Sequence, residues 1–298
     1  MQKELEEAIS RTQKIVFEKL NELVPEDSEI LTQAIRYSLL CSGKRLRPLL
    51  VIESAKIFGD LDINDLITIA CAVEMVHIFS LIHDDLPCMD NDDFRRGKPS
   101  NHKVFGEAIA TLAGDALLTF APQVITKNSN NLSPSVLIRV LNEYFQYAGA
   151  RGVIAGQVVD IESENNTQII DKEKTLKYLH LHKTSDLFKL SMRTGAIIAG
   201  AEDEKLEALT EFAENFGLAF QIADDILDEI STFEEMGKTL GKDKEEGKLT
   251  YVSLYGLEES KCKLACLFKK CCDIMKEQNF ESEIFKDMIK KINERVGI

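Results

Sequence analysis

The sequence predicts an all-α fold, built as a single domain over residues 1–298. Three observations carry that prediction. Apolar residues recur at three- and four-residue steps through long segments. Alternating β-branched runs are absent and proline occurs only six times. No polar break between segments has the length or composition of an interdomain linker.

The expected elements follow in chain order. The first helix spans 2–23, where Leu5, Ile9, Val16, Leu20 and Leu23 form one stripe. Helices over 29–41 and 47–58 follow, with Gly59 as a stop signal. Segment 64–86 is apolar nearly all round, as is 184–199, so both belong inside a large bundle. Helix 103–127 precedes helix 134–162, which opens on Ser133-Pro134, an N-cap with proline at the first helical position. Helix 172–182 leads to 184–199. Helix 203–229 carries the stripe Leu206, Leu209, Phe212, Phe216, Phe220 and Ala223. Helices 247–256, 260–277 and 281–294 complete the chain. Polar breaks fall at 59–63, 90–102, 127–133, 163–171 and 230–247. There is no solenoid-type repeat and no low-complexity tract.

Composition narrows the function classes. Hydrophobic residues make up 44% and charged residues 29%, as in a globular protein. A net charge of -14 disfavours nucleic acid and anionic membrane surfaces as partners. No uninterrupted apolar run reaches the ~18 residues of a membrane span. The start MQKELEEAIS lacks the basic and apolar regions of a signal peptide. Seven cysteines, an odd number, read as reduced thiols of a cytoplasmic protein. Cys262, Cys266, Cys271 and Cys272 lack the spacing and the nearby histidines of a zinc site.

Two acidic clusters carry the chemistry. Asp84-Asp85-Leu86-Pro87-Cys88-Met89-Asp90 is one, and Asp224-Asp225-Ile226-Leu227-Asp228 the other. Adjacent carboxylates in apolar runs repel and lose hydration unless a cation bridges them. Magnesium takes oxygen ligands and joins carboxylates to substrate phosphates. Asp224 and Asp228 are four apart and share one helix face. Asp84 and Asp90 are six apart, but Pro87 must bend or end the helix, which predicts a turn bringing Asp90 back towards Asp84. Asp92 and Asp93 are expected to face water. The bland readings are a solvated acidic helix end and a polar helix exit.

Basic motifs supply the other half. Gly43-Lys44-Arg45-Leu46-Arg47-Pro48 precedes an apolar helix, and Arg95-Arg96-Gly97-Lys98 lies in a glycine-containing loop. Arginine grips phosphate bidentately, and lysine acts as a point charge. Lys238, Lys242, Lys244 and Lys248 lie in or at the edge of the 230–248 loop. The dipeptide His83-Asp84 offers a competing class, the all-α HD-type metal phosphohydrolases. Those need a histidine-rich cage, and that reading leaves the second acidic cluster unexplained.

Taken together the residues resemble the trans-isoprenyl diphosphate synthases, specifically the short-chain farnesyl and geranylgeranyl types of bacteria and plants. The match runs from about residue 30 to 256. It is carried by SGKRLRP at 42–48, HIFSLIHDDLPCMDNDDFRRGKPSNHKVFGE at 77–107, LAGDAL at 112–117, GQVVDIESE at 156–164 and HKT at 182–184. QIADDILD at 221–228, GKTLGKD at 237–243 and GKLTYVSL at 247–254 complete it. The resemblance implies long helices around a deep central cavity and a homodimer. It implies three magnesium ions, with manganese as a substitute, held by Asp84, Asp85, Asp90, Asp224 and Asp228, with Asp225 nearby. It implies an allylic substrate, dimethylallyl or geranyl diphosphate, held by Arg95, Lys183, Lys238 and Lys248. Thr184, Gln221 and the Lys183 carbonyl would face the allylic cation. Isopentenyl diphosphate would be held by Lys44, Arg47, His77 and Arg96. A partner subunit that only binds is a second class, which the intact acidic clusters disfavour.

Product length is expected to be C15, with C20 and C10 as alternatives. Phe79 lies five residues before Asp84, so ~1.5 Å per residue sets it ~7.5 Å deeper along the same helix. A phenyl ring there can close the cavity, and an aromatic at that place marks farnesyl synthases in the family. Ser80, one position nearer, is too small to block. Three positions depart from the family pattern: Ser42 for glycine, Phe94 for leucine, and Asp186 for a small apolar residue.

Overall fold

A computed structural model of the chain describes residues 2–59, 62–165, 169–230 and 248–298. Fourteen helices occur among them: α1 Gln2–Leu23, α2 Ile30–Leu39, α3 Leu46–Phe58, α4 Ile63–Asp84, α5 Asn101–Phe105, α6 Glu107–Asn128, α7 Pro134–Ala148, α8 Val153–Asn165, α9 Lys172–Leu179, α10 Asp186–Ile198, α11 Asp203–Ile230, α12 Tyr251–Tyr255, α13 Leu257–Gln278 and α14 Glu283–Val296. A π-helical turn, His180–Ser185, joins α9 to α10. The strands among the described residues are β1 Phe94–Arg95 and β2 Lys98–Pro99, paired antiparallel. The all-α expectation is borne out.

The helices gather into two units. One comprises Glu6–Tyr144 with Thr194–Gly200. Its centre is α4, packed chiefly on α6 and also on α3. Leu66, Ile69, Val73, Met75, Val76 and Ile78 are all buried on it, as an all-round apolar helix must be. By length and mean apolarity both Ile63–Asp84 and Glu107–Asn128 could cross a membrane. Polar residues such as Glu74 and Asp115 interrupt both, so neither is an unbroken apolar run. Most of the apolar stretch of α4 is buried inside the protein, as in a core helix.

The other unit comprises Phe145–Arg193, Ala201–Ile298 and the first five residues. Here α11 is central, packing on α13, on the π turn and on α14. Its core is aromatic. Phe212 stacks on Phe216 and Phe285 at 5.8 and 5.2 Å, and Phe216 meets Phe188 and Phe268 at 5.7 and 5.9 Å. Such contacts add ~0.5–1.5 kcal/mol each beyond area burial.

Four helix boundaries differ from the sequence reading. The expected helix 134–162 is broken at residues 149–152, where a Cβ on Gly149 or Gly152 would overlap the carbonyls of Phe145 and Tyr147. The expected helix 103–127 begins earlier, at Asn101, and breaks at Gly106, whose φ of 83° leaves the helical region. The two helices expected over 172–182 and 184–199 run on through the π turn. Helix α12 is shorter than the expected 247–256.

Candidate active site

The first acidic cluster sits where α4 ends, in the N-terminal unit. The chain doubles back there as the proline predicted. Asp90 N donates to the Asp84 carbonyl at 2.9 Å, and Asn91 N, with its φ at 49°, to Leu86 O at 3.1 Å. Asp84 and Asp90 are half-buried. Asp85 is 3% exposed and turns to Arg95, which donates to it through Nε at 2.8 Å and also through Nη2. Burial pushes the Asp85 carboxyl up from its ordinary value, and Arg95 opposes that shift. Asp92 is not simply solvated, since it accepts a further bond from Arg95 at 3.1 Å. Asp93 is exposed and pairs with Lys103 at 2.6 Å.

A tight hairpin splits the two arginines. Phe94 pairs with Pro99 and Arg95 with Lys98, so Arg96-Gly97 forms a two-residue turn. Both turn residues have positive φ, 53° and 76°, the geometry that matches strand twist. Arg95 therefore reaches Asp85 while Arg96 reaches His77. Phe94 stands out at 69% exposure, so its departure from leucine is a surface one.

Around His77 the expected Arg47 and Arg96 come together. Arg47 Nη1 lies 3.2 Å and Arg96 Nη2 3.4 Å from His77 Nε2. Burial, followed by Arg47 and Arg96, holds the His77 pKa well below its usual value, so the ring is neutral and Nε2 accepts. Burial also pushes Arg47 down to about 10, still charged at neutral pH. Nη1 of Arg96 and Nδ1 of His77 are buried with no hydrogen-bond partner. Unspent donors among guanidinium groups suit an anion. Lys44 is exposed beside them in the chain. Gly43 makes this possible, because a Cβ there would lie 2.6 Å from Arg96 Nη1.

The second acidic cluster lies on α11 in the C-terminal unit. Asp224 and Asp228 are half-buried, as their shared helix face predicts. Asp225 is 6% exposed and serves the structure. It accepts from Gln221 Nε2 at 3.0 Å and from the Tyr251 backbone at 2.9 Å. Thr184 Oγ1 donates to Gln221 Oε1 at 2.7 Å, and Lys183 forms an ion pair with Asp160. A cleft of ≈ 160 Å³ collects Asp160, Lys183, Thr184, Gln221, Asp224 and Lys248. An adjoining one of ≈ 240 Å³ is lined by Asp228, Glu229 and Lys248.

The π turn sets Lys183 and Thr184 in that cleft. Single π turns inside α-helices recur at functional sites. Two glycines let it pack: a Cβ on Gly156 would collide with Lys183 N, and one on Gly217 would lie 2.7 Å from Ser185 Cα. Asp186, just beyond, bonds His182 Nδ1 at 2.8 Å and Lys189 at 2.7 Å.

Lys238 lies outside the described residues, as do Lys242 and Lys244. Phe79 is buried and meets the His83 ring edge-on at 4.9 Å. Ser80 donates to the His77 carbonyl at 2.9 Å. His83 Nε2 bonds Thr111 O at 3.0 Å, which makes it a packed residue and removes the support for a histidine cage. Among the described residues no three His, Cys, Asp or Glu side chains form a closed metal cage. Open sets of one or two carboxylates suit magnesium, which keeps water and phosphate oxygens as further ligands. Sequence reasoning missed Asp160 and Glu74. Both are acids inside apolar helical runs, which is the signal that could have found them.

The sequence pattern of the family described as polyprenyl synthetase matches residues 28–292. A chloroplastic geranylgeranyl pyrophosphate synthase 7 of Arabidopsis thaliana is 50% identical over 229 residues, 77% of this chain. The chain spans only 65% of that relative's length. A farnesyl diphosphate synthase of Geobacillus stearothermophilus is 48% identical over 236 residues, covering 79% of this chain and 78% of its own. An FPP/GFPP synthase structure from Zymomonas mobilis superposes with a TM-score of 0.85 at 32% identity over 98% of each chain. A geranyltransferase from Helicobacter pylori, solved with magnesium and isoprenyl diphosphate, gives a TM-score of 0.80 at 28% identity over 96% of each. The length and strength of these matches show that the chain belongs to the polyprenyl synthetase family.

Proposed function

We propose that this protein is a prenyltransferase that joins isopentenyl diphosphate head-to-tail to dimethylallyl and then geranyl diphosphate, giving farnesyl diphosphate. The observation that carries the reading is the cleft where Lys183, Thr184, Gln221, Asp224 and Lys248 meet. It offers cations for a diphosphate, a carboxylate for magnesium, and uncharged oxygens for a carbocation.

The carboxylate oxygens fit magnesium, and Asp84, Asp90, Asp224 and Asp228 would hold it. When bound, it would neutralise charge on the leaving diphosphate. Asp85 orients Arg95, which with Lys183, Lys238 and Lys248 holds the allylic diphosphate. As the allylic C–O bond breaks, the Thr184–Gln221 pair and the Lys183 carbonyl present oxygens to the cation. Lys44, Arg47, His77 and Arg96 hold isopentenyl diphosphate with its double bond aligned for attack. The new C–C bond forms, a proton leaves carbon 2 of the isopentenyl unit, and the departed diphosphate accepts it.

The buried aromatic Phe79 favours C15 over C20, though relatives of both kinds match. The whole chain acts as one catalytic domain, which the single family match over residues 28–292 supports. It works as a homodimer in a reducing compartment, the cytoplasm; all seven cysteines are free thiols. Separate Asp84→Ala and Asp224→Ala variants test the reading. Each should stay folded and lose ~10²–10⁵ in turnover, because each weakens charge stabilisation of the leaving group. A near-normal rate in either would refute it.

A further inference from the structure

The arginine pocket contains one acid that no substrate contact requires. Glu74 lies one helical turn before His77 on α4 and is 1% exposed. We infer that Glu74 is the positioning residue of the isopentenyl diphosphate pocket, fixing Arg45 and Arg96 and, through Arg45, the start of α3 that presents Lys44 and Arg47. The inference rests on reading that pocket as a diphosphate site.

Three guanidinium groups, of Arg45, Arg47 and Arg96, crowd this part of the N-terminal unit. Unopposed, they would repel one another and drift apart. Glu74 answers them unequally. Its Oε1 takes Arg45 Nη1 at 2.6 Å and stands 3.8 Å from Arg96 Nη2. Arg45 is anchored further. Its Nη2 donates to the carbonyls of Leu39 and Cys41 at 2.8 and 2.7 Å. With φ at 49° it also opens α3 from a left-handed conformation that side-chain anchoring must sustain. Lys44 and Arg47 flank this anchored residue, so they inherit its position.

Arg96 is treated differently. It feels the Glu74 charge without a close bond, and its Nη1 stays buried with no hydrogen-bond partner. Glu74 Oε2 is likewise buried with none. The carboxylate therefore restrains Arg96 while leaving it a donor for an incoming phosphate. Arg45 is the tether, and Arg96 and Arg47 are the grips.

The isosteric variant Glu74→Gln separates positioning from simple charge. Removing a negative charge beside an anion site should tighten diphosphate binding. Losing the tether should loosen it. We expect the KM for isopentenyl diphosphate to rise about 10-fold or more, through the coupling a shared ionic network carries. The KM for geranyl diphosphate should hold, and kcat at saturation should change little. Glu74→Asp keeps the charge on a shorter stem and should give a smaller rise of the same kind. An unchanged or lowered KM for isopentenyl diphosphate in either folded variant overturns the inference. So does an equal rise in both KM values, which would mean general loosening. If the wild-type protein fails to use isopentenyl diphosphate at all, the proposed function falls instead. Titration calorimetry with inorganic pyrophosphate then decides the inference: weaker binding by Glu74→Gln than by wild type supports it, and equal or tighter binding overturns it.

Discussion

Arg47 and Lys183 should fail in different ways, because they stand in different pockets. Arg47 shares His77 with Arg96, in a set built to grip an anion. Arg47→Ala should raise the KM for isopentenyl diphosphate by an amount worth ~2–3 kcal/mol, a lost charge-assisted bond. Lys183→Ala should mainly lower kcat, since Lys183 lies beside the proposed allylic oxygens in the second cleft. Steady-state kinetics varying each substrate alone would check this; equal impairment of one substrate by both variants would contradict it. Phe79→Ala should move product from C15 towards C20, read by chromatography. An unchanged C15 product from a folded, active variant would place the floor of the cavity elsewhere. The acidic clusters and the two basic motifs were legible because charge inside apolar runs stands out in one dimension, whereas Lys183 came from the family resemblance. Asp85 and Asp225 show the limit. Sequence alone gives neither acid its partner: Arg95 bonds the first, and Gln221 and the Tyr251 backbone bond the second. Which acid in a run turns inward depends on partners that come from other elements.

At the scale of elements, the π turn and its two glycines decide where Lys183 and Thr184 stand. Gly156→Ala or Gly217→Ala would push Cβ into the turn at a cost of ~1–3 kcal/mol, the usual penalty of overpacking. Thermal melts should show the loss, and kcat should fall more than either KM. A variant with unchanged kcat would show that the turn need not be held. The turn itself was not legible, because 172–182 and 184–199 share one helical periodicity and nothing local separates a π turn from an α-helical one. Helix existence was legible nearly throughout. The stop at Gly59 was legible, but the breaks at Gly106, Gly149 and Gly152 were not, since Gly156 and Gly217 lie inside helices. What separates them is packing against another element. The hairpin at 94–99 escaped for a different reason: its turn is Arg-Gly, outside the usual asparagine- or aspartate-led pairs.

For the whole molecule, two buried neutral histidines tie stability to pH. Burial lowers His180 from 6.5 to about 3 and holds His77 well below 6.5. Each folded pKa lies below its unfolded value, so the unfolded chain binds more protons as pH falls. Their contribution is fully present above pH ~6.5 and shrinks by ~1.4 kcal/mol per pH unit for each histidine below it. Denaturant melts at pH 7.5 and 5.5 should show the decline, and His180→Gln should flatten it. An equal decline in that variant would assign the acid sensitivity to other groups. The fold class was legible because so many segments agreed on one periodicity. The proposed chemistry needs one chain to hold an allylic diphosphate and an isopentenyl diphosphate and join them. The decisive measurement is product analysis with geranyl diphosphate, isopentenyl diphosphate and magnesium. Diphosphate release should require both substrates and the metal, with a C15 prenyl diphosphate as the product. Diphosphate release without isopentenyl diphosphate, or no elongated product at all, would contradict it.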